Sequence, residues 1–299
     1  MTNVGGQAVL EGVMMRSPGN WAVAVRTHAG VIAQVTRPID SSMAHHWYLR
    51  LPIVRGVMAL GESLAIGFRA LAISANYAAQ EEGEEVETEL SRGALIFAFV
   101  IAIGFAIALF KVTPGLITEA LPIKSGGWFV IVEGLIRVSI FIAYLSLISL
   151  LPDLRRVFQY HGAEHKAINA YEAGEELEPE IVQRYSLIHP RCGTAFLLWV
   201  MVLAVFVFAF FGRPAWYWLV ATRILLLPVI AGLAYEVIRF AGKHQNKVVM
   251  TILAPGLWLQ RLTTREPSLE QLEVSIRALR EVLQLEGMRT GESRVEVMA

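Results

Sequence analysis

Two stretches of the sequence carry no charged side chain over the length that an α-helix needs to cross a lipid bilayer. They are residues 93–110 and 193–212, and a bilayer core of about 30 Å requires about 20 apolar helical residues. Residues 128–151 and 216–235 reach the same length with one or two charges inside. The sequence therefore predicts an α-helical integral membrane protein with about four transmembrane helices.

The composition fits a membrane protein and argues against one that binds nucleic acid. Charged residues make up 17% of the chain, against about 25% in a typical soluble domain. The formal net charge is +0, so no excess of positive charge is present to attract a phosphate backbone. The single cysteine, Cys192, excludes an intramolecular disulfide. We expect the lipid bilayer as the main partner, and a membrane-protein partner or a second copy of the chain as open alternatives.

Positively charged residues are concentrated in three segments that flank the predicted spans. The region before the first span, the connection between spans two and three, and the tail after span four hold most of the Lys and Arg residues. The two other connections hold only Lys111, Lys124 and Arg213. Because positively charged loops stay in the cytoplasm, both termini and the long middle loop are predicted to be cytoplasmic.

Residues 53–78 form an apolar helix that has two interpretations. Arg55, Glu62 and Arg69 recur at heptad spacing and make one polar stripe, while apolar residues cover the rest. This pattern favours a helix that lies in the membrane interface or packs on the cytoplasmic face. A fifth span or a re-entrant helix is the alternative, and a fifth span would place the arginine-bearing N-terminus outside, against the charge rule.

Charged residues inside the predicted spans are costly, since an unpaired charge there costs at least about 2.5–3.5 kcal/mol. Arg223 lies near the bilayer centre by residue count, and Glu133 lies in the outer half of span two, one turn before Arg137. We expect an intramembrane ion pair between Glu133 and Arg223. The pair is either a structural contact between helices or part of a polar pocket for a lipid head group or an ion.

The N-terminal region has the pattern of a small β element. Apolar and polar residues alternate from Gln7 to Arg16, and two further runs flank the sequence Thr-His-Ala-Gly, which is typical of a hairpin turn. Such a sheet is too small to be stable alone, so it is expected to pack on the middle loop or on the tail.

The C-terminal tail is predicted to hold a docked segment and a helix. Residues 248–262 are apolar but interrupted by Pro255-Gly256, and we expect them to be interfacial or docked. Ser268 is a good N-cap with Gln271 three residues on, and a helix should follow. Its apolar stripe consists of Leu272, Ile276, Leu279 and Leu283.

The predicted organisation follows from these elements. It comprises a cytoplasmic β element (1–50), an amphipathic helix with an acidic linker (51–92), spans one and two (93–151), a cytoplasmic loop (152–192), spans three and four (193–236) and a cytoplasmic tail (237–299).

The middle loop contains an H-x-x-E-H sequence formed by His161, Glu164 and His165. On a helix, residues four apart share a face at about 6 Å, so both imidazoles can reach one metal ion. Glu164 would lie beside this ion as a general base. The pattern is that of inverted zinc proteases, and it predicts a divalent metal site, with zinc as the expected ion.

A further ligand must come from outside this helical turn. His189 and Cys192 are the best placed, because they lie just before span three enters the membrane. His244 and Glu11 are additional candidates. Glu172 is poorly placed, since a straight helix would hold it about 16 Å from His161 along the axis.

Four sequence segments carry a family resemblance: GGQAVLEGVMMR, HGAEHKAINAYE, HPRCGTAF and PGLWLQRLTTREP. Together they resemble the YqhQ family, from about residue 5 to residue 283. The resemblance implies a multi-pass protein of the bacterial cell membrane, with a domain of unknown function that is labelled a predicted metal-dependent enzyme. It also adds Gln7, Glu11 and Arg16 to the candidate site residues, although Glu11 and Arg16 are equally explained as polar strand and turn residues.

Two functions of different classes are consistent with the sequence. The first is a membrane-bound, metal-dependent hydrolase with its site on the cytoplasmic face. The second is a non-catalytic membrane partner or assembly protein, in which the histidine cluster is structural. Glu164 separates the two, because only the first needs its carboxylate as a base.

Overall fold

The computed structural model describes residues 3–79, 92–123, 125–211, 216–244 and 246–298. The predicted acidic linker, residues 81–89, lies outside these ranges. Helices account for most of the described chain. They are α1 (Ser42–His45), α2 (Val54–Ala79), α3 (Arg92–Ile107), α4 (Thr113–Glu119), α5 (Gly126–Ile148), α6 (Pro152–Ala173), α7 (Pro179–Val182), α8 (Gly193–Phe211), α9 (Trp216–Lys243), α10 (Lys247–Thr263) and α11 (Leu269–Met298).

The N-terminal region forms a four-stranded antiparallel sheet, which confirms the predicted β element. Its strands follow one another in the order β1 (Gly5–Val9), β2 (Gly12–Arg16), β3 (Asn20–Arg26) and β4 (Ile32–Pro38). The alternating run from Gln7 to Arg16 is two strands rather than one. Glu11 adopts φ 52 and turns the chain between them, a conformation that the alternation of side chains does not reveal.

Helices cover both faces of this sheet. On one face, α2 packs Ile66 and Ala70 against Trp21 and other apolar side chains of the strands. On the opposite face, α6 and α11 bury a core that joins the sheet, the middle loop and the tail. The sheet therefore packs on both the loop and the tail, and three segments distant in sequence form one body.

The start of α11 has the predicted capping interactions. The Gln271 backbone N–H donates to Ser268 Oγ at 3.3 Å, and the Ser268 N–H donates to Gln271 Oε1 at 2.9 Å. This is a reciprocal capping box. The predicted apolar stripe also faces the core: Leu272, Ile276 and Leu279 are buried, and Leu283 packs against them.

Among the described residues, five helices have the length and composition of a membrane span: Val54–Ala78, Val100–Glu119, Gly126–Ile148, Gly193–Phe211 and Leu225–Gly242. Four of them correspond to the predicted spans, and the additional one belongs to α2. The first of the four is shifted relative to residues 93–110, because the helix continues through a π-helical turn at Ala108–Val112 into α4. Lys111 therefore lies within this candidate span and not in the connection after it.

The apolar segment before the C-terminal helix is docked, as expected, but it is not interrupted. α10 runs without a break through Pro255. Leu253 and Leu259, on either side of the proline, are buried against α8 and its neighbours. The stabilisation from this packing compensates for the free-energy cost of the backbone hydrogen bond that a proline removes from a helix.

In the described part of the chain, ion pairs join the apolar helices at two places. Glu133 contacts Arg137 one turn along α5, and its Oε1 lies 3.8 Å from Lys111 Nζ. The Arg223 side chain lies outside the described part of the structure, so its pairing with Glu133 stays a prediction. The second pair joins Arg55 of α2 to Glu236 of α9, with 2.6 Å between Nε and Oε1, and the sequence did not indicate it.

Candidate metal centre

Three donor atoms from two separate segments converge beside the middle of α6. His161 and His165 lie on one face of this helix, and Cys192 comes from the turn that precedes α8. The donor atoms of the three side chains all lie within 4.8 Å of one another. The closest measured approach, between Cys192 Sγ and His161 Nε2, is 3.3 Å.

Backbone carbonyl groups orient both imidazoles toward the cluster. His161 Nδ1 lies 2.8 Å from the carbonyl oxygen of Thr263, and His165 Nδ1 lies 2.5 Å from that of Leu187. A carbonyl oxygen only accepts, so each Nδ1 must carry the hydrogen that it donates. This leaves each Nε2 directed at the centre, the arrangement by which proteins fix histidine ligands of metals.

The donor set fits a zinc ion. Two imidazole nitrogens and one thiolate are zinc ligands, and three protein ligands leave the fourth position open, as in catalytic zinc sites. Zinc bonds of about 2.0–2.3 Å place tetrahedral donors about 3.4–3.6 Å apart, so the closest pair of donors is near that separation. Within the described chain, His165 Nε2 is buried and lacks a hydrogen-bond partner, a cost that a bound cation would remove.

Glu164 lies next to the cluster, between α6 and the first strand. A Cβ atom built on Gly6 of β1 would be 2.8 Å from Glu164 Cγ, so the strand passes directly over this side chain. Burial raises the pKa of the Glu164 carboxyl, against the effect of the neighbouring imidazoles. A carboxyl group with a raised pKa beside a metal site is suited to accept and return a proton.

His189 lies beside the three-donor cluster and is directed elsewhere. Its ring centroid is 5.8 Å from that of His165, and its Nε2 is 3.6 Å from Glu172 Oε2. Gln260 holds the His189 backbone through two hydrogen bonds of 2.9 Å, one to its N–H and one to its carbonyl. Glu172, which helical geometry made a poor candidate for a ligand of the His161 site, pairs with His189 and Arg191.

The remaining candidates lie outside the cluster. Exposed His244 stacks on Phe240, and Glu11 pairs with Arg156 at the turn between β1 and β2. The Arg16 guanidinium donates to Ser63 Oγ at 2.6 Å. Gln7 of β1 reaches toward Gly67 of α2. Gln7, Glu11 and Arg16 join the sheet to the helices packed on it, whereas His244 contacts its own helix, α9.

Sequence reasoning missed the groups that orient the site. Thr263 and Leu187 act through backbone carbonyls, which every residue type has, so no sequence signal could identify them. Gln260 is fully buried. A glutamine within an apolar segment is a signal that could have been used, since a buried amide needs hydrogen-bond partners.

The thiol and the imidazole of the closest pair stabilise each other's charged forms. Burial alone would raise the pKa of Cys192, but His161 and then His165 hold it well below its usual range. Burial alone would lower the pKa of His161, but Cys192 raises it to about 9. In the absence of metal, both shifts favour the thiolate form of Cys192 and the imidazolium form of His161.

We expect the ultraviolet absorbance of the thiolate to report this pair in metal-free protein. The band should be present at neutral pH and should disappear only as the pH falls through the lowered pKa of Cys192. In His161→Asn the main stabilising charge is lost while burial remains, so the thiolate should form only at a higher pH than in the wild type. A titration shared by His161→Asn and the wild type would contradict the pairing, and His244→Asn is the matched control.

Comparison with known proteins assigns the chain to a family. The family described as "Protein of unknown function (DUF1385)" matches residues 51–285. The "Uncharacterized protein YqhQ" of Bacillus subtilis (strain 168) is 34% identical over 296 residues, which cover 95% of this chain and 93% of that protein. No solved structure matches the chain. The match over nearly its full length confirms the resemblance carried by the four sequence segments, and the chain belongs to the YqhQ family.

Proposed function

We propose that the protein is a metal-dependent hydrolase of the bacterial cell membrane, with its site on the cytoplasmic face. One observation carries the proposal: two imidazole nitrogens and a sulfur converge, and the buried Nε2 of His165 has no hydrogen-bond partner in the described chain. Zinc is the ion we propose for this donor set. About one zinc per chain in protein purified without added metal is the result that the proposal requires.

The residues around the centre have separate roles in this proposal. His161, His165 and Cys192 would hold the ion, and the carbonyls of Thr263 and Leu187 would orient the two imidazoles. A bound zinc ion would supply Lewis-acid activation of water and of the bond to be cleaved. Glu164 would take one proton from the attacking water and return it to the leaving group, a role favoured by its raised pKa.

The packing of the cytoplasmic body supports four spans rather than five. The sheet, α6 and α11 pack together, so they must lie on the same side of the membrane. An even number of crossings must then separate the sheet from α6. The continuous α3–α4 helix and α5 provide two crossings, and α2 would make a third, so we propose that α2 stays on the cytoplasmic side. α8 and α9 provide the next two crossings, which keeps α11 and the C-terminus cytoplasmic.

Labelling with a membrane-impermeant maleimide tests this topology. Asn76→Cys at the end of α2 should be labelled only in inside-out vesicles, whereas Leu121→Cys, in the connection between α4 and α5, should be labelled only in intact cells. The wild type is the control for Cys192, which is buried. Labelling of Asn76→Cys from outside the cell would mean that α2 crosses the bilayer.

A non-catalytic membrane partner or assembly protein is the second candidate, and burial favours it. His165, Glu164 and Cys192 are all less than one tenth exposed, as the ligands of a structural metal site are. In that function the ion would join α6 to the start of α8, and the partner would be another membrane protein or a second copy of the chain. Glu164 would then have no proton to transfer.

A further inference from the structure

The first strand leaves one edge of the sheet unpaired. β1 is the outermost strand and pairs only with β2. Val9 and Gly12 flank the two-residue turn and form a hydrogen-bonded pair. Along an antiparallel ladder, hydrogen-bonded and non-hydrogen-bonded pairs then alternate. The N–H and C=O groups of Gly6 and Ala8 consequently point away from β2. Within the described chain, these four groups have no hydrogen-bond partner.

This free edge belongs to the strand that passes over Glu164, the carboxyl group beside the candidate metal centre. Gly6 lies directly over Glu164, and Glu164 is on the same helix as His161 and His165. Gly6 and Ala8 are both only partly buried, so the edge is within reach of another chain. β4, which forms the opposite edge, lies at the far side of the sheet from β1.

The two edges also differ in their protection against pairing. Charged side chains and proline usually prevent an edge strand from pairing with another chain. β4 ends in Arg37 and Pro38, and its Gln34 side chain contacts α11 through Glu281 and Arg277. β1, with the sequence GGQAV, contains neither a charge nor a proline. The edge that lacks such residues, β1, is therefore the one beside the proposed catalytic group, Glu164.

We infer that the substrate is an extended polypeptide that pairs with the outer edge of β1. This inference rests on the proposed hydrolase and names its substrate class. An extended chain supplies alternating N–H and C=O groups that match those of Gly6 and Ala8, which a lipid head group or a nucleic acid does not. The reaction is hydrolysis of an amide: water oxygen bonds to the carbonyl carbon, and the C–N bond breaks. Glu164 passes one water proton to the leaving nitrogen, and the second water proton goes from the new carboxyl group to the released amine. The products are a carboxylate and an ammonium.

Hydrogen exchange on the full chain tests the pairing separately from catalysis. The protein carries Glu164→Gln, so that bound peptide is not cleaved, and it is held in lipid nanodiscs with zinc. The probe is a synthetic decapeptide of alternating valine and threonine, and its control is the same peptide N-methylated at every second amide. The probe should slow exchange at Gly6 and Ala8 about tenfold, the effect expected of one new hydrogen bond at each amide, and the methylated peptide should not.

Two proline variants provide matched controls for the edge. Ala8→Pro removes an outward N–H of β1 and leaves the β1–β2 hydrogen bonds intact, so it should abolish protection by the probe. Thr36→Pro removes an outward N–H from the opposite edge, on β4, and protection of β1 should persist. A cooperative thermal unfolding transition in each variant would show that it is folded.

The outcomes distinguish this inference from the proposed function. Exchange at β1 unchanged by the probe, or protection that survives Ala8→Pro, would overturn the polypeptide substrate, even if zinc is bound. Protection of Gly6 and Ala8 by the nanodisc lipid alone would overturn it in favour of a lipid contact. Protection by the probe in a protein that binds no zinc would keep the peptide-binding edge and reject the hydrolase.

Discussion

Protein carrying His165→Ala is expected to purify without zinc, and the wild type is expected to purify with about one zinc per chain. The substitution removes one of three donors that lie within 4.8 Å of one another, and two donors hold zinc far more weakly than three. Zinc content, measured after dialysis against a weak chelator, should fall below about one tenth of an equivalent. His161→Ala and Cys192→Ser should have the same effect.

The controls separate loss of metal from loss of fold. His244→Ala removes an imidazole that is exposed and outside the cluster, so it should keep its zinc. His165→Asn keeps a polar side chain at the buried position. It therefore shows whether zinc is lost because the imidazole is missing or because the structure rearranges around the smaller alanine. Wild-type protein free of zinc, or a folded His165→Ala variant that retains a full equivalent, would exclude the proposed centre.

Glu164→Gln is expected to keep the zinc and to lose the biological activity. The amide has nearly the shape of the carboxyl group but cannot accept a proton, and general-base catalysis contributes about 10²–10⁴-fold. The measurement is complementation of a strain that lacks the gene, with zinc content determined on the same variant. Asp153→Asn, in the exposed first turn of the same helix, is the matched control and should complement fully.

The same variant decides between the two candidate functions. A partner or assembly protein needs the shape of residue 164 and not its proton, so Glu164→Gln would then complement as well as the wild type. Full complementation with zinc still bound would reject the hydrolase and favour the structural centre.

The contacts that are local in sequence could be predicted, and those made by the backbone could not. The four-residue spacing of His161 and His165 fixes a shared helical face, and the capping residues Ser268 and Gln271 identify the start of α11. The position of Cys192 before a span indicated its approach to the same membrane face. The carbonyl of Thr263, by contrast, comes from the end of α10, a segment that the sequence predicted to be interfacial or docked without indicating its partner.

Side chains that could serve either of two roles were the hardest to assign. Glu11 had the chemistry of a metal ligand, and the fold uses it in a turn where it meets Arg156. His189 was an equally plausible ligand, yet its Nε2 lies toward Glu172. In both cases the deciding factor is a partner far away in the chain, which no local pattern contains.

The sheet and the helices packed on it are completed by segments from the end of the described chain, and this order has a consequence for biogenesis. Thr263, which orients His161, and α11, which completes the core beneath the sheet, both follow the last span in the chain. Both are therefore translated after all five candidate spans. The candidate metal centre of a nascent chain would remain incomplete until α10 and α11 have been translated, so a chain truncated before them would lack the carbonyl group that orients His161.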